Sequence, residues 1–163
     1  MECVMLCGIP TSGKSTYVEK LKKLDYWKDA VVLSTDNYIE KYAERVGQTY
    51  NEVFDDVIPD ATRELELNFI MAKDKGKDII WDQTNLSIKT RKRKLSKLPS
   101  MYRRCAVYFE VSYEDAIQRN KNREGKFIPE SILHRMWHQF EIPTLEEGFD
   151  YVECATKQEL LYL

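Results

Sequence analysis

Gly8-Ile9-Pro10-Thr11-Ser12-Gly13-Lys14-Ser15 has the form G-x-x-x-x-G-K-[ST], with the apolar run Val4 to Cys7 before it and an amphipathic segment after it. That context is where a strand turns into a helix, so the stretch reads as a phosphate-binding loop. Glycine lets the backbone curl until consecutive N–H groups point inward, and the positive end of the next helix strengthens the same field. Lys14 is then the point charge for the outer phosphates of a nucleoside triphosphate. The Ser15 hydroxyl is a ligand for the magnesium ion that travels with such a nucleotide. Gly8, Thr11, Ser12, Gly13, Lys14, Ser15 and Thr16 are the expected nucleotide-binding residues of this loop.

Outward from the loop, short apolar runs alternate with longer polar–apolar segments. Val4 to Cys7, Val31 to Ser34, Asp78 to Asp82 and Cys105 to Val111 read as strands, with a possible last strand around Cys154. Tyr17, Leu21 and Leu24 share one helix face, Leu65 and Phe69 another, and Ile128, Ile132, Met136 and Phe140 step by four along a third. The expected fold is α/β: a P-loop kinase with a parallel sheet of about five strands flanked by helices, and an arginine-bearing lid. The 163 residues read as one domain, 1–163. Only Tyr42 to Pro59 has a poor pattern, and it reads either as a short helix and loop roofing an acceptor site or as a surface excursion.

Parallel strands bring their carboxyl ends to one edge, so chemistry is expected where strands stop. The second ends in Ser34-Thr35-Asp36, where the Asp36 carboxylate is placed to take the proton of an attacking hydroxyl. The same aspartate also suits a helix N-cap ahead of Asn37 to Glu44. The third ends in Asp82-Gln83-Thr84-Asn85, and Asp82 is the second expected magnesium ligand. Arg119 to Lys126 precedes Pro129 and reads as a lid, with Arg123 and Arg119 available to the charge that spreads over a transferring phosphoryl group.

Net charge is −2, but Leu86 to Phe109 holds eight of the 25 basic residues and no acid, leaving 17 basic against 27 acidic elsewhere. Such a basic patch can hold a polyanion locally, or be a solvated helix face. The apolar stretch before the loop fits neither a signal peptide nor a membrane span, so a cytoplasmic location without membrane association is expected. The four cysteines read as small buried thiols, and His134 and His138 as ordinary packing or surface residues.

With these residues in place, the chain resembles the kinase module of the polynucleotide kinases, among the P-loop phosphotransferases. The likeness is carried by Gly8 to Thr16, by Asp36, by Asp82 to Asn85 and by Gln139-Phe140-Glu141-Ile142-Pro143-Thr144-Leu145-Glu146-Glu147-Gly148-Phe149, and spans about Met1 to Glu153. It implies ATP as donor, Mg2+, Asp36 as base, and Arg123 as the residue that stabilises the transferring group. Thr35 and Ile39 stand where family members have arginines, one just before the aspartate and, in the phage enzyme, one three residues beyond it. The resemblance implies an ATP-dependent kinase acting on a nucleic-acid hydroxyl, a 5'-hydroxyl end of DNA or RNA in the first place; because of these two departures a hydroxymethylated base in DNA and a nucleoside or small metabolite remain the alternative acceptors. The Asp82-Gln83-Thr84-Asn85 tetrad and the basic run after it also resemble the kinase-like module of heterogeneous nuclear ribonucleoprotein U. That likeness implies a different possibility, a non-catalytic ATP-gated RNA-binding module.

Overall fold

In the computed structural model, which describes residues 1–155, strand β1 (Glu2–Cys7) is buried on both faces, and its apolar run accordingly shows no alternation. It is the middle strand of a five-stranded sheet in the order β2-β3-β1-β4-β5, with β2 at Val31–Leu33, β3 at Ile79–Asp82, β4 at Arg103–Tyr108 and β5 at Tyr151–Cys154. Every neighbouring pair is parallel. The last eight residues of the expected 1–163 domain lie outside the described ones.

Six α-helices are described: α1 (Lys14–Leu21), α2 (Thr35–Val46), α3 (Tyr50–Asp74), α4 (Ile88–Leu95), α5 (Tyr113–Lys121) and α6 (Glu130–Gln139). One sheet face packs Met5, Cys7 and Trp81 against Leu65 and Phe69 of α3 and Leu95 of α4. The opposite face packs Leu6, Ile80 and Val107 against Tyr17, Val18 and Leu21 of α1. The α5–α6 unit docks by Ala116 and Leu133 on Ile9 of the phosphate loop.

Tyr42 to Pro59 is neither a short helix with a loop nor a surface excursion. It is the end of α2, a turn at 47–49, and the first part of the 25-residue α3. A capping box starts α3: the Thr49 N–H donates to Glu52 Oε2 at 2.7 Å and the Glu52 N–H to Thr49 Oγ1 at 3.4 Å. Val53, Val57 and Ala61 then stack by four against Ile39 and Ala43 of α2. Pro59 removes one backbone donor, and the helix runs through it because this apolar stripe is buried on both sides of the proline.

Strand ends are also trimmed. Ser34 leaves β2 to cap α2, its Oγ accepting from the Asn37 N–H at 3.4 Å. Asp36 is therefore in the first turn of α2 and is not its N-cap.

Arg91 departs from the expected basic patch. It is fully buried, Nε and Nη2 each donating at 2.7 Å to the Glu147 carboxylate, and Nη1 donates to the carbonyls of Asn85, Leu86 and Glu141. The guanidinium thereby fastens α4 to the segment that leads into β5. Lys89, Lys92, Arg93 and Lys97 remain exposed.

Candidate nucleotide and acceptor site

The β1–α1 turn builds the first wall. Gly13, at φ 108°, takes a left-handed conformation closed to most side chains and turns the chain into α1. The Gly8 N–H donates to the Thr84 carbonyl at 2.9 Å, which ties the loop to the end of β3. Asn85 locks the same junction from inside, its Nδ2 donating to the carbonyls of Leu6 at 2.7 Å and Gln83 at 3.2 Å. The Arg119 Nη1 donates to the Thr11 carbonyl at 3.0 Å from the last turn of α5.

A cavity of about 400 Å³ lies over this turn. Of the residues expected to bind nucleotide, Thr11, Gly13, Lys14, Ser15, Thr16, Arg119 and Arg123 line it, while Gly8 and Ser12 lie buried behind them. Asp36 and Asp82 face the same cavity. Three stretches distant in sequence are thus brought together at the carboxyl edge of the sheet.

Lys14 Nζ rests on its own loop, donating to the carbonyls of Ile9 at 2.7 Å and Gly8 at 2.9 Å. Burial lowers its pKa to about 8, against the opposing charges of Asp82 and Asp36. Burial raises the Asp82 carboxyl above the ordinary range, with Lys14 pulling the other way. Arg123 Nη1 is buried with no hydrogen-bond partner.

These features fit a magnesium-bound triphosphate: hard oxygen donors from Ser15 and Asp82, a buried cation in Lys14, and an orphaned guanidinium donor. Among the described residues no cluster of three His, Cys, Asp or Glu could hold a metal, so the remaining ligands would come from phosphate oxygens and water. His134 and His138 are exposed surface residues, their rings edge to face and their Nε2 atoms 3.0 Å apart.

Asp36 is held at both carboxylate oxygens. Tyr50 Oη donates to its Oδ1 at 2.9 Å and Lys126 Nζ to its Oδ2 at 2.8 Å, and Lys126 also pairs with Glu40. Burial would raise its pKa, but the charge and hydrogen bond of Lys126, the Tyr50 hydrogen bond and the Arg123 charge outweigh that and hold it below the ordinary carboxylate range. Sequence reading missed Tyr50 altogether and gave Lys126 no role beyond the lid; 90 residues separate Lys126 from Asp36, and no local spacing signals their meeting.

The loop 122–129 that carries Arg123 and Lys126 is held at both ends. Asn120 clips its base through Ile128, donating to the carbonyl at 2.7 Å and accepting from the N–H at 3.1 Å. At its tip, the Asn51 N–H donates to the Gly125 carbonyl and Asn51 Nδ2 to the Phe127 carbonyl. Gly125, at φ 66°, approaches Thr49 so closely that an added Cβ would lie 2.9 Å from Thr49 Cβ.

Residues 3–143, most of the chain, match the AAA domain family. The chain belongs to that family. This AAA-domain chain is 26% identical over 157 residues to the bifunctional polynucleotide phosphatase/kinase of Schizosaccharomyces pombe, covering 93% of the chain and 33% of that protein. It is likewise 26% identical over 165 residues to human heterogeneous nuclear ribonucleoprotein U-like protein 2, covering 98% of the chain and 22% of that protein. It thus spans a third or less of either relative. Among solved structures, a candidate kinase from Chloroflexus aurantiacus J-10-fl superposes with a TM-score of 0.71 at 18% identity, over 97% of this chain and 90% of that one. The fold of this AAA-domain chain is thus a P-loop, kinase-like one, and no helix among its described residues is long and apolar enough to cross a membrane.

Proposed function

We propose that the protein is an ATP- and magnesium-dependent phosphotransferase that phosphorylates a hydroxyl of a nucleic acid, a 5'-hydroxyl end in the first instance. The observation that carries this is Asp36, a carboxylate kept ionised by its surroundings, facing the cavity lined by Lys14, Ser15 and Arg123. The likeness to a polynucleotide phosphatase/kinase supports the choice of acceptor. So does a groove of about 740 Å³, lined by Arg93 and Lys94, which meets the nucleotide cavity at Gln83 and Thr84.

In this reading the loop amides and Lys14 would bind the phosphates, and Ser15 and Asp82 would hold magnesium. The metal, when bound, neutralises charge on the phosphate oxygens. Asp36 Oδ2 exchanges Lys126 for the acceptor hydroxyl, orients it in line, and takes its proton as the new O–P bond forms and the bond from the γ-phosphorus to the β–γ bridging oxygen breaks, with ADP as the leaving group. Arg123 turns its unpaired Nη1 to the equatorial oxygens. Ordering the acceptor in line supplies about 7–11 kcal/mol of barrier lowering, and the base adds a factor of about 100–10,000.

Incubation with labelled ATP and a panel of 5'-hydroxyl DNA and RNA, nucleosides and duplexes with hydroxymethylated bases tests the reading. Label on 5'-hydroxyl strands in preference to monomers is the expected result. Retention of strands without transfer would overturn it in favour of a nucleotide-gated binding module.

A further inference from the structure

Beside Asp36 a second cavity, of about 570 Å³, opens between the start of α3 and the loop 122–129 with α6 behind it. Its size falls within the range of about 300–1,000 Å³ that buries a small ligand. Tyr50, Phe54, Ile58, Phe127, Ile132 and Met136 make its walls largely apolar. The Tyr50 and Phe54 rings lie 5.5 Å apart and are tilted by 39°, forming a continuous aromatic side. Pro10, Thr35, Asp36, Thr84 and Arg123 line both this slot and the nucleotide cavity. A nucleotide whose ring is seated in the slot therefore has room for its sugar hydroxyl at the shared edge, beside the carboxylate that the preceding section assigns as base.

The charges select what can sit there. The charged residues described on the slot are Asp36, Asp55, Arg123 and Lys126. Lys126 keeps its pairing with Glu40 when the acceptor displaces it from Asp36, and Arg123 is shared with the nucleotide cavity. A phosphodiester inside would meet the Asp55 carboxylate without a cation of its own, whereas a neutral flat ring would replace water on apolar and aromatic walls. Arg93, one of the exposed cations of α4, borders the other groove across Thr84 and suits the backbone that such a ring would leave outside.

We propose that this slot receives the nucleobase of the very nucleotide that bears the accepting hydroxyl, unstacked from its strand, with its sugar at the shared edge beside Asp36 and the phosphates of the strand left outside. The proposal rests on the nucleic-acid phosphotransferase reading and adds a requirement to it: the acceptor must present a base, not only a hydroxyl. The comparison that tests it uses the wild-type protein, ATP and two 5'-hydroxyl strands of the same sequence, one with its 5'-terminal nucleotide made abasic. The abasic strand should lose about 5- to 150-fold in kcat/KM, the range for one base stacked on an aromatic side chain. In Phe54→Leu, which keeps an apolar side chain and removes the ring, the ratio between the strands should shrink towards one. Equal kcat/KM on the two strands in the wild type would overturn the slot proposal and leave phosphotransfer standing. Full discrimination retained in Phe54→Leu would overturn the placing of the ring, and no transfer to any strand would overturn both readings.

Discussion

Asp36 and Lys14 occupy one cavity with opposite needs, and their surroundings meet both. Lys126 and Tyr50 hold the Asp36 carboxyl below its usual range in spite of burial. Removing the cation in Lys126→Gln takes away the largest lowering influence, so the acid limb of the pH–kcat/KM profile, which reports the free protein, moves to higher pH, a shift that steady-state kinetics over the acid range would detect. An unmoved limb would mean that Lys126 does not act on this carboxylate. Burial brings the Lys14 ammonium down to about 8 from 10.5, so near pH 8 a sizeable fraction of the free protein carries it neutral. Phosphate favours the charged form, and triphosphate binding at pH 8 should therefore take up protons. Calorimetry in buffers of different ionisation enthalpy reads this directly, and Lys14→Met should abolish it. The sign for folding follows from the same lowering: between about pH 8 and 10.5 the unfolded chain holds more protons, so this group's contribution to stability rises with pH across that window.

At the level of elements, the Arg91–Glu147 pair joins α4 to the chain before β5, with side chains 0% and 2% exposed. Both charges are enclosed and satisfied, so Glu147→Gln, which strands the guanidinium charge, should cost about 3–5 kcal/mol in denaturant unfolding. Arg91→Met combined with Glu147→Leu should cost much less than the two single changes together. The stretch from Gln139 to Phe149, which carries part of the family likeness, thus has a structural reason: Glu147 anchors Arg91 and Phe149 enters the core. The contact between α3 and the loop 122–129 has a different sensitivity. Gly125→Ala adds a Cβ against Thr49 at a positive φ and should undock the loop tip, seen as faster hydrogen exchange at the Asn51 amide, which donates to Gly125. Slow exchange retained in the variant would show that the loop accommodates the methyl group.

Across the whole molecule, the parallel sheet and the nucleotide cavity were legible because each part has a local signature: the loop motif, apolar runs buried on both faces, and polar residues at strand ends. The α2–α3 roof was not, because Glu52, Asp55 and Asp56 and the in-helix Pro59 hide a buried stripe at Val53, Val57 and Ala61. Arg91 was misread for a related reason. Six of the eight basic residues of its segment lie within nine positions, and only the fold shows which of them turns inward to an acid 56 residues away. The pairing of Asp36 with Tyr50 and Lys126 depends likewise on three elements meeting. The most direct measurement of the central claim compares wild type with Asp36→Asn for ATP affinity and for single-turnover phosphate transfer to a 5'-hydroxyl strand. Transfer should fall by about 100- to 10,000-fold with ATP affinity retained; transfer at the wild-type rate would contradict the account.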